Sequence, residues 1–121
     1  MSELLLSIEL EGLPPTVNHL YRSTRSGRRY KTEVGREYQQ TISNAIMEAY
    51  TGSEPYAGAV ELHVIFETNN RRKWDIDNRI KALQDCLSMA GVLLDDRQVE
   101  ALSVRRVYGC RMATKIEVRG L

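Results

Sequence analysis

The sequence predicts an α+β domain, a mixed sheet with two helices packed on it, in the order βαβαββ. Two observations predict it. Four stretches alternate in polarity with period two or are crowded with β-branched residues, as strands are, and two others repeat apolar residues every three or four positions, as amphipathic helices do. At 121 residues the chain can bury one core but is too short for two ordinary domains. No linker, repeat or low-complexity segment divides residues 1–121, so a single domain is expected.

Leu4, Leu6, Ile8 and Leu10 alternate with Leu5, Ser7 and Glu9, and Pro14 with Pro15 ends this first strand. Residues 21–30 hold Gly and Ser among basic side chains, follow neither period, and read as a surface loop. Thr32 is placed to cap a helix, with Glu33 favourable in its first turn. That helix carries Val34, Tyr38, Ile42, Ala45, Ile46 and Ala49 on one stripe and should end near Gly52. Across residues 59–67, Val60, Leu62, Val64 and Phe66 alternate with Glu61, His63, Ile65 and Glu67, a half-buried strand broken by Asn69 and Asn70. In the second helix Ile76, Ile80, Leu83, Leu87 and Ala90 step by four, three, four and three, and Gly91 supplies the stop. Residues 99–108 and 114–118, rich in β-branched side chains around a turn with Gly109, predict a closing hairpin.

Composition excludes several classes. No apolar run is long enough to cross a bilayer and no signal segment opens the chain, so a cytoplasmic protein without membrane contact is expected. Cys86 and Cys110 lack zinc-site spacing and read as free thiols. No Gly-rich phosphate loop, Ser/His/Asp order or cysteine-nucleophile signature is present. The net charge of +1 conceals strong local asymmetry. Residues 12–32 carry Arg22, Arg25, Arg28, Arg29 and Lys31 and no acid, and Arg71, Arg72 and Lys73 form a second basic knot. Both are candidate surfaces for the phosphates of a nucleic acid.

Every aspartate falls between Asp75 and Asp96, while the remaining acids are all glutamate. Aspartate loses less rotamer entropy than glutamate when fixed around a small hard cation. Asp75 and Asp77 stand where a loop enters the second helix. In an extended entry segment both would face one ion while Ile76 turned into the core. Asp95 and Asp96 offer further oxygen donors beyond the helix, and Lys81 lies one turn from Asp77. Each half of this pattern has an ordinary structural explanation. Aspartate caps helices, Asp77 with Lys81 has the orientation of a surface pair, and Asp-Asp is common in turns. The combination of a basic triplet, two carboxylates, a lysine and a second acidic pair favours a Mg²⁺ site on a DNA nuclease. A DNA-binding module without catalysis, its aspartates only capping and pairing, is the alternative. Trp74 could stack on a base but suits a core or hinge role better.

The run Arg71-Arg72-Lys73-Trp74-Asp75-Ile76-Asp77-Asn78, then Lys81 and Asp85, then Gly91 and Leu94-Asp95-Asp96-Arg97-Gln98-Val99, resembles the RusA family of Holliday-junction resolvases. Pro14-Pro15, Asn18, Tyr21-Arg22, the basic loop, Gly35 and Tyr38 are consistent with it. The resemblance implies a homodimer that binds four-way DNA junctions and nicks two strands symmetrically with Mg²⁺ or Mn²⁺. It makes Asp75, Asp77 and Asp96 the catalytic, metal-binding carboxylates, Asp95 the neighbouring acid at the metal and Lys81 the functional lysine. Asn18 joins the basic residues as a DNA contact.

Helix length adds an expectation about Asp96. Asp77 to Ala90 spans 14 residues, about 20 Å as a helix. Residues 91–96 would have to run back almost fully extended to bring Asp96 to Asp77 within one chain. Supply of Asp96 by the partner of a two-fold dimer avoids that retracing.

Overall fold

A computed structural model describes residues 3–121; Met1 and Ser2 lie outside it. In chain order the elements are β1 (Glu3–Glu11), α1 (Val17–Leu20), β2 (Tyr21–Ser23), β3 (Arg29–Lys31), α2 (Glu33–Ala49), β4 (Val60–Thr68), α3 (Ile80–Met89), β5 (Val99–Tyr108) and β6 (Ala113–Gly120). Short 3-10 turns at Ile76–Arg79 and Asp96–Gln98 lead into α3 and β5.

The predicted α+β class and mixed sheet are present. Four strands lie in the order β1-β6-β4-β5, with β4 and β5 parallel and the other neighbours antiparallel. A parallel pair needs a crossover, and α3 with its flanking turns provides it. Strand β4 is the centre of the core. Its alternate residues Val60, Leu62, Val64, Phe66 and Thr68 are fully buried, while Glu61, His63, Ile65 and Glu67 are only partly covered. The buried face joins one apolar cluster with Ile42 and Ile46 of α2, Ile80, Leu83 and Leu87 of α3, and Ile116 and Val118 of β6. Each such side chain withdrawn from water contributes about 1.5–3 kcal/mol, so the helices are held to the sheet mainly by this stripe.

Capping follows the sequence closely. Thr32 accepts a hydrogen bond from the Gly35 amide at 3.0 Å, and α3 stops before Gly91, whose φ of 81° suits a residue without a Cβ. Gly35 also permits a close crossing, since a Cβ there would stand 2.9 Å from the Leu20 carbonyl.

Four expectations are corrected. Residues 99–108 and 114–118 do not pair as a hairpin, because β4 lies between β5 and β6. The connection crosses the end of β4, where the Gly109 amide bonds the Thr68 carbonyl at 2.9 Å. Residues 21–30 are not a plain loop: β2 and β3 form a two-stranded ribbon with Arg22 opposite Tyr30. Its turn is closed by Thr24 and Gly27, and polarity on both faces hides it from a period-two search. The second helix begins at Ile80 rather than at the aspartates, and the 3-10 turn before it leaves Ile76 38% exposed instead of core-facing. Finally, Val34 and Ala49, at the ends of the α2 stripe, are exposed; Gly35, Ile42, Ser43 and Ile46 are its buried residues.

Candidate active site

The aspartates sit at two 3-10 turns, Asp75 and Asp77 before α3 and Asp95 and Asp96 after it, with Asp85 on the helix between. Asp75 is extended and immediately precedes the 3-10 turn carrying Asp77, and both are exposed. Neither carboxylate takes part in an ion pair or side-chain hydrogen bond among the described residues, so four hard oxygen atoms face solvent. The Ile76–Arg79 turn is pinned by Arg79, whose Nη1 donates to the Pro14 carbonyl at 2.6 Å. Ile80, the next residue, enters the core.

Lys81 occupies the first turn of α3. Its ammonium lies 3.1 Å from Asp85 Oδ1 and 3.8 Å from Asp96 Oδ2. The hydrogen bond to Asp85 is the chief reason that Lys81 stays protonated beyond its ordinary range, with Asp96 adding to it. Asp85 also accepts a 3.4 Å hydrogen bond from the Tyr21 hydroxyl at the base of the basic ribbon. One carboxylate thus touches both the lysine and the ribbon.

The Lys81–Asp96 contact brings Asp96 back to the first turn of α3 within one chain, but does not gather Asp96 with Asp75 and Asp77 into a set that could hold a metal. The helix is shorter than estimated, ten residues from Ile80 to Met89, about 15 Å long. Leu93 pairs with Tyr56, and the chain then turns back along α3. Asp95 plays a different part from Asp96. Its oxygens accept from the Arg97 amide at 2.8 Å and the Arg97 guanidinium at 3.2 Å, which hold the carboxyl below its usual range. Asp95 is therefore the cap of the Asp96–Gln98 turn. Gln98 completes a capping box, and its amide nitrogen ties the turn to the Tyr56 and Gly58 carbonyls at 2.7 and 2.8 Å.

Among the described residues, no three His, Cys, Asp or Glu side chains converge closely enough to hold a metal ion. The donor chemistry nevertheless fits a hard divalent cation: Asp75 and Asp77 are unpartnered among the described residues, and Asp96 lies beside the exposed Lys81 and the neighbouring Asp95.

The basic residues divide into two groups. Arg22, Arg25 and Arg28 are exposed along the β2–β3 ribbon, and Arg29 lies 4.2 Å over the Tyr21 ring. Lys31 is turned inward to bond Gln39, and Asn18 is exposed on α1. In the second group Arg71 stacks on Tyr108 at 4.5 Å, Arg72 is exposed, and Lys73 lines an open cavity of about 580 Å³ with Trp74, Asp75, Asn78 and Arg106. The ribbon meets α3 through Tyr21 and Asp85, whereas the cavity is lined by Asp75 itself. No helix among the described residues is long and apolar enough to cross a membrane.

The family model for the endodeoxyribonuclease RusA matches residues 11–119 of this chain. This chain belongs to the RusA endodeoxyribonuclease family. It is similar to the crossover junction endodeoxyribonuclease RusA of Escherichia coli strain K12, with 35% identity over 86 residues, 71% of this chain and 70% of that protein. The enzyme of the same name from Enterobacteria phage HK97 is 32% identical over 110 residues, 85% of this chain and 87% of its own length. That of Enterobacteria phage 82 is 34% identical over 86 residues.

Two residues beside the aspartates were not assigned a role from sequence. Asp85 stood within the recognised motif, and its i to i+4 spacing from Lys81 was the available signal. Arg106 had no local signal. It lies on β5 opposite Phe66 of β4, and only the parallel pairing brings it to the loop before Asp75. Trp74 takes the core role: its ring meets Phe66 edge-on at 5.6 Å and is covered by Arg79 and Arg106 at 4.7 and 4.5 Å.

Proposed function

We propose that this chain is a Mg²⁺-dependent endodeoxyribonuclease, with Mn²⁺ as substitute, that resolves four-way DNA junctions as a homodimer by paired nicking in cytoplasmic recombination and repair. The observation that carries this reading is the pair of unpartnered carboxylates, Asp75 and Asp77, on the turn leading to Lys81, which itself contacts Asp96. The names of the relatives, crossover junction endodeoxyribonucleases, supply the junction substrate.

In this reading Asp75, Asp77 and Asp96 would hold the ion, and Asp95, through its cap on the Asp96–Gln98 turn, orients Asp96. When bound there, a divalent ion would supply Lewis-acid chemistry toward the scissile phosphate and help activate the attacking water. Lys81, kept charged by Asp85, stands ready to neutralise the phosphate and orient the incoming water. The arginines of the β2–β3 ribbon and the 71–73 knot supply phosphate contacts that fix the junction against the site. A two-fold dimer gives two equivalent sites, as symmetric nicking requires.

The test is a Mg²⁺ titration of the protein on a labelled four-way junction, with three-way and linear duplex DNA beside it. Cutting of the four-way junction into paired, ligatable nicks that requires the metal and is lost in Asp75→Asn is the expected result. A mobility shift with no new fragments at any metal concentration would reduce the chain to a DNA-binding module.

A further inference from the structure

The segment carrying Asp75 and Asp77 is gripped from both ends against one indole. Before it, Arg106 of β5 donates through Nη2 to the Arg72 carbonyl at 2.6 Å and to that of Asn70 at 3.5 Å. After it, Arg79 donates to the Pro14 carbonyl. Both guanidinium groups lie over the Trp74 ring, and Arg106 also reaches Tyr108 at 5.0 Å, which Arg71 covers in turn. Two like charges on one ring repel, so this arrangement holds only because each guanidinium is fixed to backbone oxygen and aromatic faces. The Nε atoms of both arginines are buried without a partner, a further cost that ordinary surface arginines avoid.

We propose that Arg106 is a positioning residue for the metal-binding carboxylates: it fixes the 70–74 loop on the sheet and so sets where Asp75 stands. Arg106 acts through Trp74 and the loop carbonyls. It takes no part in holding the ion. The proposal rests on the reading of Asp75 as a metal ligand given above. Lysine cannot replace it fully, because the planar fork both stacks on the indole and donates along the loop, whereas an ammonium does neither together. Outer contacts that orient a ligand typically change metal affinity or activity 10–100-fold when removed.

The experiment uses the full chain with Arg106→Gln and Arg106→Lys, each checked by thermal melting. Trp74 is the one tryptophan in the sequence, so its emission reports this clamp alone. Acrylamide quenching of Trp74, without metal or DNA, should rise in both variants. Mn²⁺ binding to the protein alone, followed by paramagnetic resonance, should weaken about tenfold in Arg106→Gln and less in Arg106→Lys. Single-turnover cutting of a four-way junction should fall in parallel at saturating protein, with junction affinity measured in Ca²⁺ unchanged. Quenching and Mn²⁺ affinity equal to the parent protein would overturn the proposal, as would a loss of cutting restored by saturating protein, which marks a simple DNA contact. If the parent protein neither binds Mn²⁺ nor cuts, the nuclease reading fails instead, and the quenching result still decides whether Arg106 holds the loop. Should Arg106→Gln not fold, Arg106→Lys alone carries the same comparisons.

Discussion

The Lys81 ammonium lies 3.8 Å from the Asp96 carboxylate, bridging the first turn of α3 and the turn that opens β5. This contact brings Asp96 to the start of α3, the helix that the Asp75–Asp77 segment leads into. It shortens the gap that a single chain must close, while Asp75, Asp77 and Asp96 do not converge as a metal-holding set among the described residues. If Asp96 completes the site of its own subunit, Asp75→Asn and Asp96→Asn proteins, each inactive alone, should stay inactive when mixed under conditions that exchange subunits. A single nick in the mixture would establish that Asp96 serves the other subunit's site.

The β2–β3 ribbon should contribute affinity through charge alone. Arg25 and Arg28 are exposed near its tip and Arg29 is held over Tyr21, so none is consumed by an internal ion pair among the described residues. Replacing the three with alanine should weaken junction binding and lower the salt slope by about one per lost phosphate contact. Lys31→Ala should behave differently, because that side chain bonds Gln39 on α2. Its loss should leave the slope unchanged and lower the melting temperature. Equal slopes for the triple variant and the parent protein would remove the ribbon from the DNA interface.

Much of this fold was legible because burial imposes a period. β1 and β4, the core of α2, the Thr32 cap and the Gly91 stop each follow from local pattern or from a backbone angle that few residues adopt. The failures share a cause. A strand's sequence states that it is paired but not with what, so the insertion of β4 between β5 and β6 was invisible. The aspartates could be found because they cluster in sequence. Arg106 could not, since its role arises from parallel pairing between strands whose matched residues, Phe66 and Arg106, lie far apart in the chain. The β2–β3 ribbon buries too little to show a period at all.

Gln98 organises the turn that presents Asp96. Its oxygen accepts from the Leu94 and Asp95 amides at 2.8 and 3.0 Å, and its nitrogen donates to the Tyr56 and Gly58 carbonyls. Gln98→Ala removes four hydrogen bonds and should destabilise the protein by about 2–4 kcal/mol at roughly 1 kcal/mol each. Cutting should decline further than binding, because Asp96 loses its fixed approach to Lys81. Denaturant unfolding and a binding assay in Ca²⁺ separate the two effects. An unaltered unfolding midpoint would contradict the role given to this side chain.

The two thiols should differ sharply in reactivity and in their effect on stability at high pH. Cys110 is exposed, whereas Cys86 is fully buried between α2 and α3, and burial pushes its pKa from 9.0 to about 11. The neighbouring Tyr38 hydroxyl is also raised, chiefly by burial. One thiol should react with a colorimetric disulfide reagent at pH 8 in the folded protein, and two after denaturation. The sign of the stability effect follows from linkage. A group with a folded pKa above its unfolded value contributes stability fully below the unfolded value and loses it as pH rises through the folded one. For Cys86 that window runs from 9.0 to about 11, and Tyr38 extends the loss to higher pH. The melting temperature should accordingly fall between pH 9 and 11, and in Cys86→Ala, though lower at pH 8, it should fall less steeply. Parallel slopes in the two proteins would mean that the buried thiol does not titrate with unfolding, and the decline would then belong to Tyr38.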